Sequence, residues 1–354
     1  MIYYYGLLLS WAIIAGLGSL NQSPKRRRIF VAFAALSLFL VMACRAPSVG
    51  TDTLGYASQY RAGYFRVDEF GYSYLVAACK YLGLGFQAFV ALSALLVTVS
   101  VTLLISTFSR EPFLSFFLHI TVGFFALSLS GLRQSIAIAI VLIGFTVLLK
   151  GHRLAFVALV LLAYTFHNSA LIALLFLVLP YIKVSRLSGA IAWAGALLVG
   201  LQSWLVPSTS SLAGLSKYDV YFEATNEINP LVVISAGILP LACLALWPAH
   251  GVPYQRVRGV STRISIPSVL YVMALINFSV TIMALGAPIV TRLGYYFTSS
   301  ILLLVPNVTS NYPNVKIRRL VGFIIVALAL LQFARTAPRS SLGISDYHLF
   351  WMQP

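Results

Sequence analysis

A chain of 354 residues that is 60% hydrophobic and 9% charged, with a mean hydropathy of +0.92, is not a soluble globular domain. Its formal charge of +16 at pH 7 is therefore not read as a nucleic-acid surface. It reflects basic residues gathered in the cytoplasmic loops of a polytopic membrane protein, plus a few arginines that do not follow that rule.

Taken in chain order, the apolar runs predict an all-α, polytopic integral membrane protein with a single transmembrane domain over residues 1–354. About twelve spans are expected, near 2–20, 29–44, 86–108, 112–130, 134–149, 154–166, 169–182, 188–206, 231–247, 265–286, 288–305 and 319–336. The first run has no basic segment before it and reads as a retained helix rather than a cleaved signal. The stretch 113–149 would be roughly 55 Å long as one helix, too long for one crossing. It must break, and Gly131 to Gln134 is its polar point.

The stretch 154–182 could be one tilted helix or two short ones, and orientation separates these. With Lys25 to Arg28 in the cytoplasm and two crossings meeting at His167, Asn168 and Ser169, 15 of the 24 basic residues fall on the cytoplasmic side. With one crossing, the later basic clusters face outward. Two crossings are expected, and both termini then lie outside. Seven of the eight acids, Glu111 excepted, fall on the outer face. Acids contribute little to topology, so this one-sidedness suggests recognition or chemistry there. Two outer loops stand out, at about 45–85 and 207–230, and Gly71 to Leu84 in the first is amphipathic and aromatic. The inner loop Pro248 to Arg263 is rich in Gly, Pro and Arg and reads as a lipid-headgroup contact. Cys44 and Cys79 flank the first outer loop but are expected to stay free, and Cys243 to be buried.

The most informative residues are three arginines at the ends of apolar runs, Arg45, Arg133 and Arg292. A cation so placed is expensive without an anionic partner. The chain has few acids to spare, so the anion is expected to come from outside, and phosphate suits the guanidinium fork best. Arg133 and Gln134 start a helix, where a cation opposes the dipole. Taken singly, each arginine could instead snorkel to the interface or cap a helix. The functional reading is that Arg45, Asp52, Arg133, Gln134, His167 and Arg292 line one cavity at the outer leaflet.

Asp52 either caps a helix beginning near Thr53 or takes a proton from a sugar hydroxyl. His167, at a helix break, is either hydrogen-bonded in place or a base near neutrality. Tyr56, Tyr295, Tyr296 and, within Lys217 to Tyr221, Tyr218 could stack on sugars or belong to an interfacial aromatic belt. There is no P-loop, no Cys or His metal cluster, no His-Glu-x-x-His and no Asp-x-Asp in the sequence. No cofactor is expected. An enzyme built on this chain would be metal-independent, its arginines acting on a pyrophosphate.

These residues, in order, resemble the EpsG family of bacterial Wzy-type polysaccharide polymerases. The resemblance is carried by Arg45 with Val49 to Thr53 and Tyr56, by Gly131 to Gln134 with Ile136 and Ala137, by His167 to Ala170, and by Arg292 before Tyr295 and Tyr296. The tail Asp346 to Phe350 is similar to the family's aromatic C-terminus. The resemblance implies a GT-C-like membrane glycosyltransferase making O-antigen or exopolysaccharide at the outer face of the bacterial inner membrane. The growing glycan would leave undecaprenyl pyrophosphate for the non-reducing end of an incoming lipid-linked unit, so donor and acceptor are both lipid-linked. Whether a chain-length regulator binds is left open. The rivals are a flippase for the same lipid-linked sugar, a lipid-to-acceptor ligase and a membrane acyltransferase. A flippase should carry charge between the leaflets and a two-halves repeat, and no repeat is seen.

Overall fold

The computed structural model describes residues 1–16, 23–63, 66–205, 230–247, 265–285 and 290–352. Most of the segment 207–230 expected as the second outer loop, including Tyr218, and the segment 248–263 expected as an inner loop lie outside the described residues. Among the described residues the protein is helical throughout, and its one strand-like contact is a bridge between Arg45 and Leu349.

The helices follow the apolar runs. They are α1 (Ile2–Gly16), α2 (Pro24–Ala43), α3 (Thr53–Ala62), α4 (Phe70–Tyr81), α5 (Phe86–Phe108), α6 (Pro112–Thr121), α7 (Phe125–Ser130), α8 (Leu132–Leu149) and α9 (Arg153–Phe166). After them come 3-10 turns over Asn168–Leu177 and Leu179–Tyr181, then α10 (Arg186–Leu205), α11 (Pro230–Ala245), α12 (Ile266–Met283), α13 (Thr291–Gly294), α14 (Ser299–Ser310) and α15 (Val315–Thr336). Proline opens α2 and α6 at the first helical position, where its missing N–H costs nothing. Asn314 caps α15 by accepting from the N–H groups of Lys316 (3.0 Å) and Ile317 (3.2 Å).

Four segments are long and apolar enough to cross a bilayer: Phe86–Phe108, Leu132–Leu149, Ile266–Met283 and Val315–Arg339. Several others are apolar but only 10–17 residues long. The break expected between 113 and 149 occurs at Gly131, which separates α7 from α8. The run 154–182 also breaks at His167, but its second half winds as 3-10 helix. Breaks of this kind survive in an apolar bundle because the freed backbone groups are hydrogen-bonded again, as at Gly131, where Ser135 Oγ donates to Gly131 O (2.8 Å) and Leu127 O (3.3 Å).

Helix α8 is the axis of the bundle. It packs on α5 and α9 and is apolar around its whole circumference, and 83% of its residues are buried. The segment 315–339 is the opposite case, with 28% of its most apolar window buried. Leu320, Phe323, Leu328 and Leu331 there present an outer apolar face. All three cysteines are free.

The loop after α2 is sealed by the C-terminal tail. Ala46 N–H donates to His348 O (2.8 Å), Gly50 N–H to Gly343 O (3.0 Å), Thr51 N–H to Leu342 O (3.1 Å) and Phe350 N–H to Cys44 O (3.0 Å). Gly50 has a φ of +91°, and a Cβ there would run into the carbonyl oxygen of Leu129. Glycine is what lets this loop lie against the α7–α8 break.

Candidate active site

Helices α8 and α9 are antiparallel neighbours joined by a tight turn, so the start of one and the end of the other share an end of the bundle. Arg133 stands in the first turn of α8, and His167 follows the last turn of α9. His167 has extended backbone (φ −159°, ψ 123°) that ends the helix. Its N–H donates to Ala163 O (3.0 Å) and its carbonyl accepts from Ala170 N–H (3.0 Å). The break therefore positions a side chain rather than leaving slack.

Between them lies Glu69, the residue before α4, with its side chain 5% exposed. One carboxylate oxygen, Oε1, is 2.6 Å from His167 Nδ1. The other pairs with Arg133 Nη1 and lies 3.5 Å from Arg66 Nε. Arg66 also donates to Asp68 (2.9 Å). Burial pushes the Glu69 carboxyl up, but the His167 hydrogen bond and the charges of Arg133, His167 and Arg66 outweigh it and hold Glu69 below the usual carboxylate range. Arg133 Nε donates to Tyr56 OH (3.3 Å), and its guanidinium carbon sits 5.5 Å from the centre of that ring.

This cluster opens on a cavity of about 1300 Å³. Asp52, Arg133, Gln134, His167 and Arg292 all line it, so five of the six residues expected to share a cavity do so. Tyr56 and Tyr295 line it as well. Gln134, itself buried, donates from Nε2 to the backbone carbonyl of Arg292 (2.6 Å), which ties α13 to the start of α8. Arg292 is exposed, and Asp52 is exposed at the N-cap position of α3. The Asp52 side chain makes no capping bond, although the helix does begin at Thr53 as expected. The polar lining continues into an apolar one that includes Ile120, Leu127, Val232, Leu239 and Phe333. Such a cavity can hold an anionic head and the start of a hydrocarbon tail together.

Three expectations are corrected by this geometry. Arg45 does not line the cavity. It is 1% exposed, donates from Nη1 to Met42 O (2.6 Å), and has no partner for Nε or Nη2 among the described residues. Burial pulls its guanidinium down to about 10, with Tyr4 and Tyr347 acting in the other direction. The premise that Arg133 takes its anion from outside also fails, because Glu69 supplies one. Tyr296 is fully buried and spends its hydroxyl on Ser169 Oγ (3.1 Å), so it presents no face for stacking.

Glu69 is the residue that reading the sequence did not place in the site. The signal was present, because Glu69 is one of the seven acids expected on the outer face and Arg133 was in want of a partner. The two lie 64 positions apart, and spacing alone did not join them. Gln59, Asn277 and Arg339 also line the cavity and were not singled out. Among the described residues no group of three or more His, Cys, Asp or Glu side chains is placed to hold a metal ion.

The sequence profile of the EpsG family matches residues 28–349 of the chain, nearly its whole length. No curated protein and no solved structure matches it.

Proposed function

The chain belongs to the EpsG family, the Wzy-like polymerase family, and on that premise we propose that it polymerises lipid-linked oligosaccharide repeat units as a membrane glycosyltransferase. Family membership together with apolar helices makes it an integral membrane protein of polysaccharide-polymerase type. The finer reading is a transfer of glycan from undecaprenyl pyrophosphate to an incoming lipid-linked unit, yielding O-antigen or exopolysaccharide. It places the reaction on the outer face of the bacterial inner membrane, in a GT-C-like body of twelve spans.

The observation that carries this reading is the convergence of Asp52, Arg133, Gln134, His167 and Arg292 on one cavity from four separate parts of the chain. Glycosyl transfer from a lipid diphosphate makes two demands on a site. The departing diphosphate needs cations, and Arg292 lines the cavity with its guanidinium unpaired among the described residues, while Arg133 lines the same cavity. The attacking hydroxyl needs a base, and Asp52 and His167 are the two candidates. Preorganised arginines acting on the leaving diphosphate make a divalent ion unnecessary in this scheme. The apolar stretch of the lining suits the first isoprene units.

The main rival is transport of the same lipid-linked sugar. It would need the charged groups to follow a path between the leaflets, whereas here they gather where α8 begins and α9 ends. The deciding experiment puts the purified protein in nanodiscs with a lipid-diphosphate-linked oligosaccharide from its host, without metal or nucleotide, and separates the products on a gel. A ladder spaced by one repeat unit is the expected result. Absence of a ladder, with movement of the substrate across a sealed bilayer, would replace the polymerase by a flippase.

A further inference from the structure

We propose that Glu69 is the positioning residue for His167, and that the Glu69–His167 pair, rather than Asp52, receives the proton in the transfer step. The proposal rests on the polymerase reading and adds to it a residue and an assignment of the base.

The first observation is the order of the groups. His167 lines the cavity and Glu69 does not, so the imidazole stands between the carboxylate and the space where substrate would bind. The second is the atom used. An ionised carboxylate can only accept a hydrogen bond, so at 2.6 Å from Nδ1 it fixes the ring hydrogen on that nitrogen. In the neutral ring the lone pair then sits on Nε2, which has no partner among the described residues and is the nitrogen left for the cavity.

The third observation is that the carboxylate cannot turn away. Its second oxygen is held by Arg133 and approached by Arg66, and the backbone of His167 is hydrogen-bonded on both sides. Asp52, by contrast, is exposed, and no group among the described residues orients its carboxylate.

The charged and titratable groups around His167 come from every element packed on it. Arg66, Asp68 and Glu69 precede α4, Arg133 begins α8 with Tyr56 behind it, Arg292 lies on α13, and Tyr296 is bonded to Ser169 in the adjoining 3-10 turn. Arginines dominate this set. Without Glu69 the imidazolium formed in the reaction would lose the one carboxylate hydrogen-bonded to its ring among the described residues and would be left beside Arg133 and Arg66.

In the step proposed, the proton of the acceptor sugar hydroxyl passes to His167 Nε2 and the hydroxyl oxygen bonds to the anomeric carbon of the donor. The bond from that carbon to the diphosphate oxygen breaks, and its electron pair leaves on the lipid diphosphate. The imidazolium, stabilised by Glu69, then returns its proton to solvent. Glu69 never touches substrate.

The test reads the tautomer directly and needs no turnover. Protein labelled with nitrogen-15 at histidine is reconstituted in nanodiscs without substrate, and the His167 signals are assigned by their loss in His167→Gln. The native protein should show the Nδ1–H tautomer when neutral, and Glu69→Ala should shift the population toward Nε2–H. A native Nε2–H tautomer overturns the proposal even where Glu69→Ala does not fold, and so does a population that Glu69→Ala leaves unmoved.

In the polymer assay Glu69→Gln, which keeps size and an acceptor oxygen but loses the charge, should lower kcat about tenfold to a hundredfold with little change in KM. The Glu69→Gln, His167→Gln double variant should be no worse than His167→Gln alone. A change in KM alone, or fully additive losses, would put Glu69 in a merely structural role. No polymer from the native protein would overturn the functional reading itself, and the substrate-free tautomer measurement keeps that failure separate from failure of the pairing.

Discussion

Arg133 and Arg45 pose the same problem in the sequence and receive opposite answers in the fold. Each is a cation at the end of an apolar run, where the cost of burial demands compensation. Arg133 is compensated by Glu69, by the Tyr56 hydroxyl and by the ring beneath it, and it still opens on the cavity. Arg45 is closed off under the C-terminal tail with one backbone acceptor and two nitrogens unpartnered among the described residues. A stranded arginine in an apolar sequence therefore signals a constraint without saying which kind. The partner decides whether the constraint belongs to a site or to a seam.

The sharpest way to break this comparison is Arg133→Lys. Lysine keeps the charge but loses the fork that reaches Glu69 and Tyr56 at once. Turnover of lipid-linked substrate should fall about a hundredfold, with the protein still recovered from detergent at normal yield. Full activity would mean that charge alone suffices and that the shape of the contact is incidental.

A smaller effect is expected on stability in acid. Glu69 is held below its ordinary value of 4.5 in the folded protein. Its contribution is therefore complete above the unfolded value and lost as pH falls through the folded one. The melting temperature should drop below about pH 4.5, and that drop should be shallower in Glu69→Gln. Equal slopes in the two proteins would show that other carboxylates govern the acid limb.

Much of this was legible without coordinates, and the limits are physical. Helix positions follow apolar length and hydropathy, so α5, α8, α9 and α11 fall within a residue or two of the expected boundaries. The break at Gly131 was forced by the length of a bilayer crossing. Cavity membership was legible for Arg133, Gln134, His167 and Arg292 because each is a polar residue at the end of an apolar run, and for Asp52 because it is a carboxylate in the loop just before a helix start. Two features were not. The pairing of Glu69 with Arg133 depends on how α4 packs against α9, which hydrophobic periodicity does not encode. The sealing of Arg45 depends on a tail about 300 residues away in sequence, bonded through backbone groups that every residue type possesses.

The seam can be probed more gently than the site. Tyr347 donates its hydroxyl to Val41 O (2.7 Å) at the end of α2. Tyr347→Phe removes that bond and little else, at a cost of about 1 kcal/mol. A denaturation series should register this loss while polymer length and rate stay as they were. A change in product length would move the tail from the seam into the site.

The smallest effect, and the one that tests the comparison most directly, is expected from Arg45→Met. The backbone of Arg45 is held without its side chain, because Gln87 Nε2 donates to its carbonyl (3.1 Å) and it bridges to Leu349. What the substitution removes is a buried cation whose desolvation is poorly repaid. An apolar side chain of similar length in such a place is often neutral or stabilising. Turnover at saturating substrate should stay within about threefold of the native protein, and the melting temperature should hold or rise, since only uncompensated charge is lost. A collapse of turnover with an unchanged melting temperature would show that Arg45 reaches substrate in a conformation with the tail displaced. The two arginines would then be halves of one site that opens, and the distinction drawn between seam and site would fall.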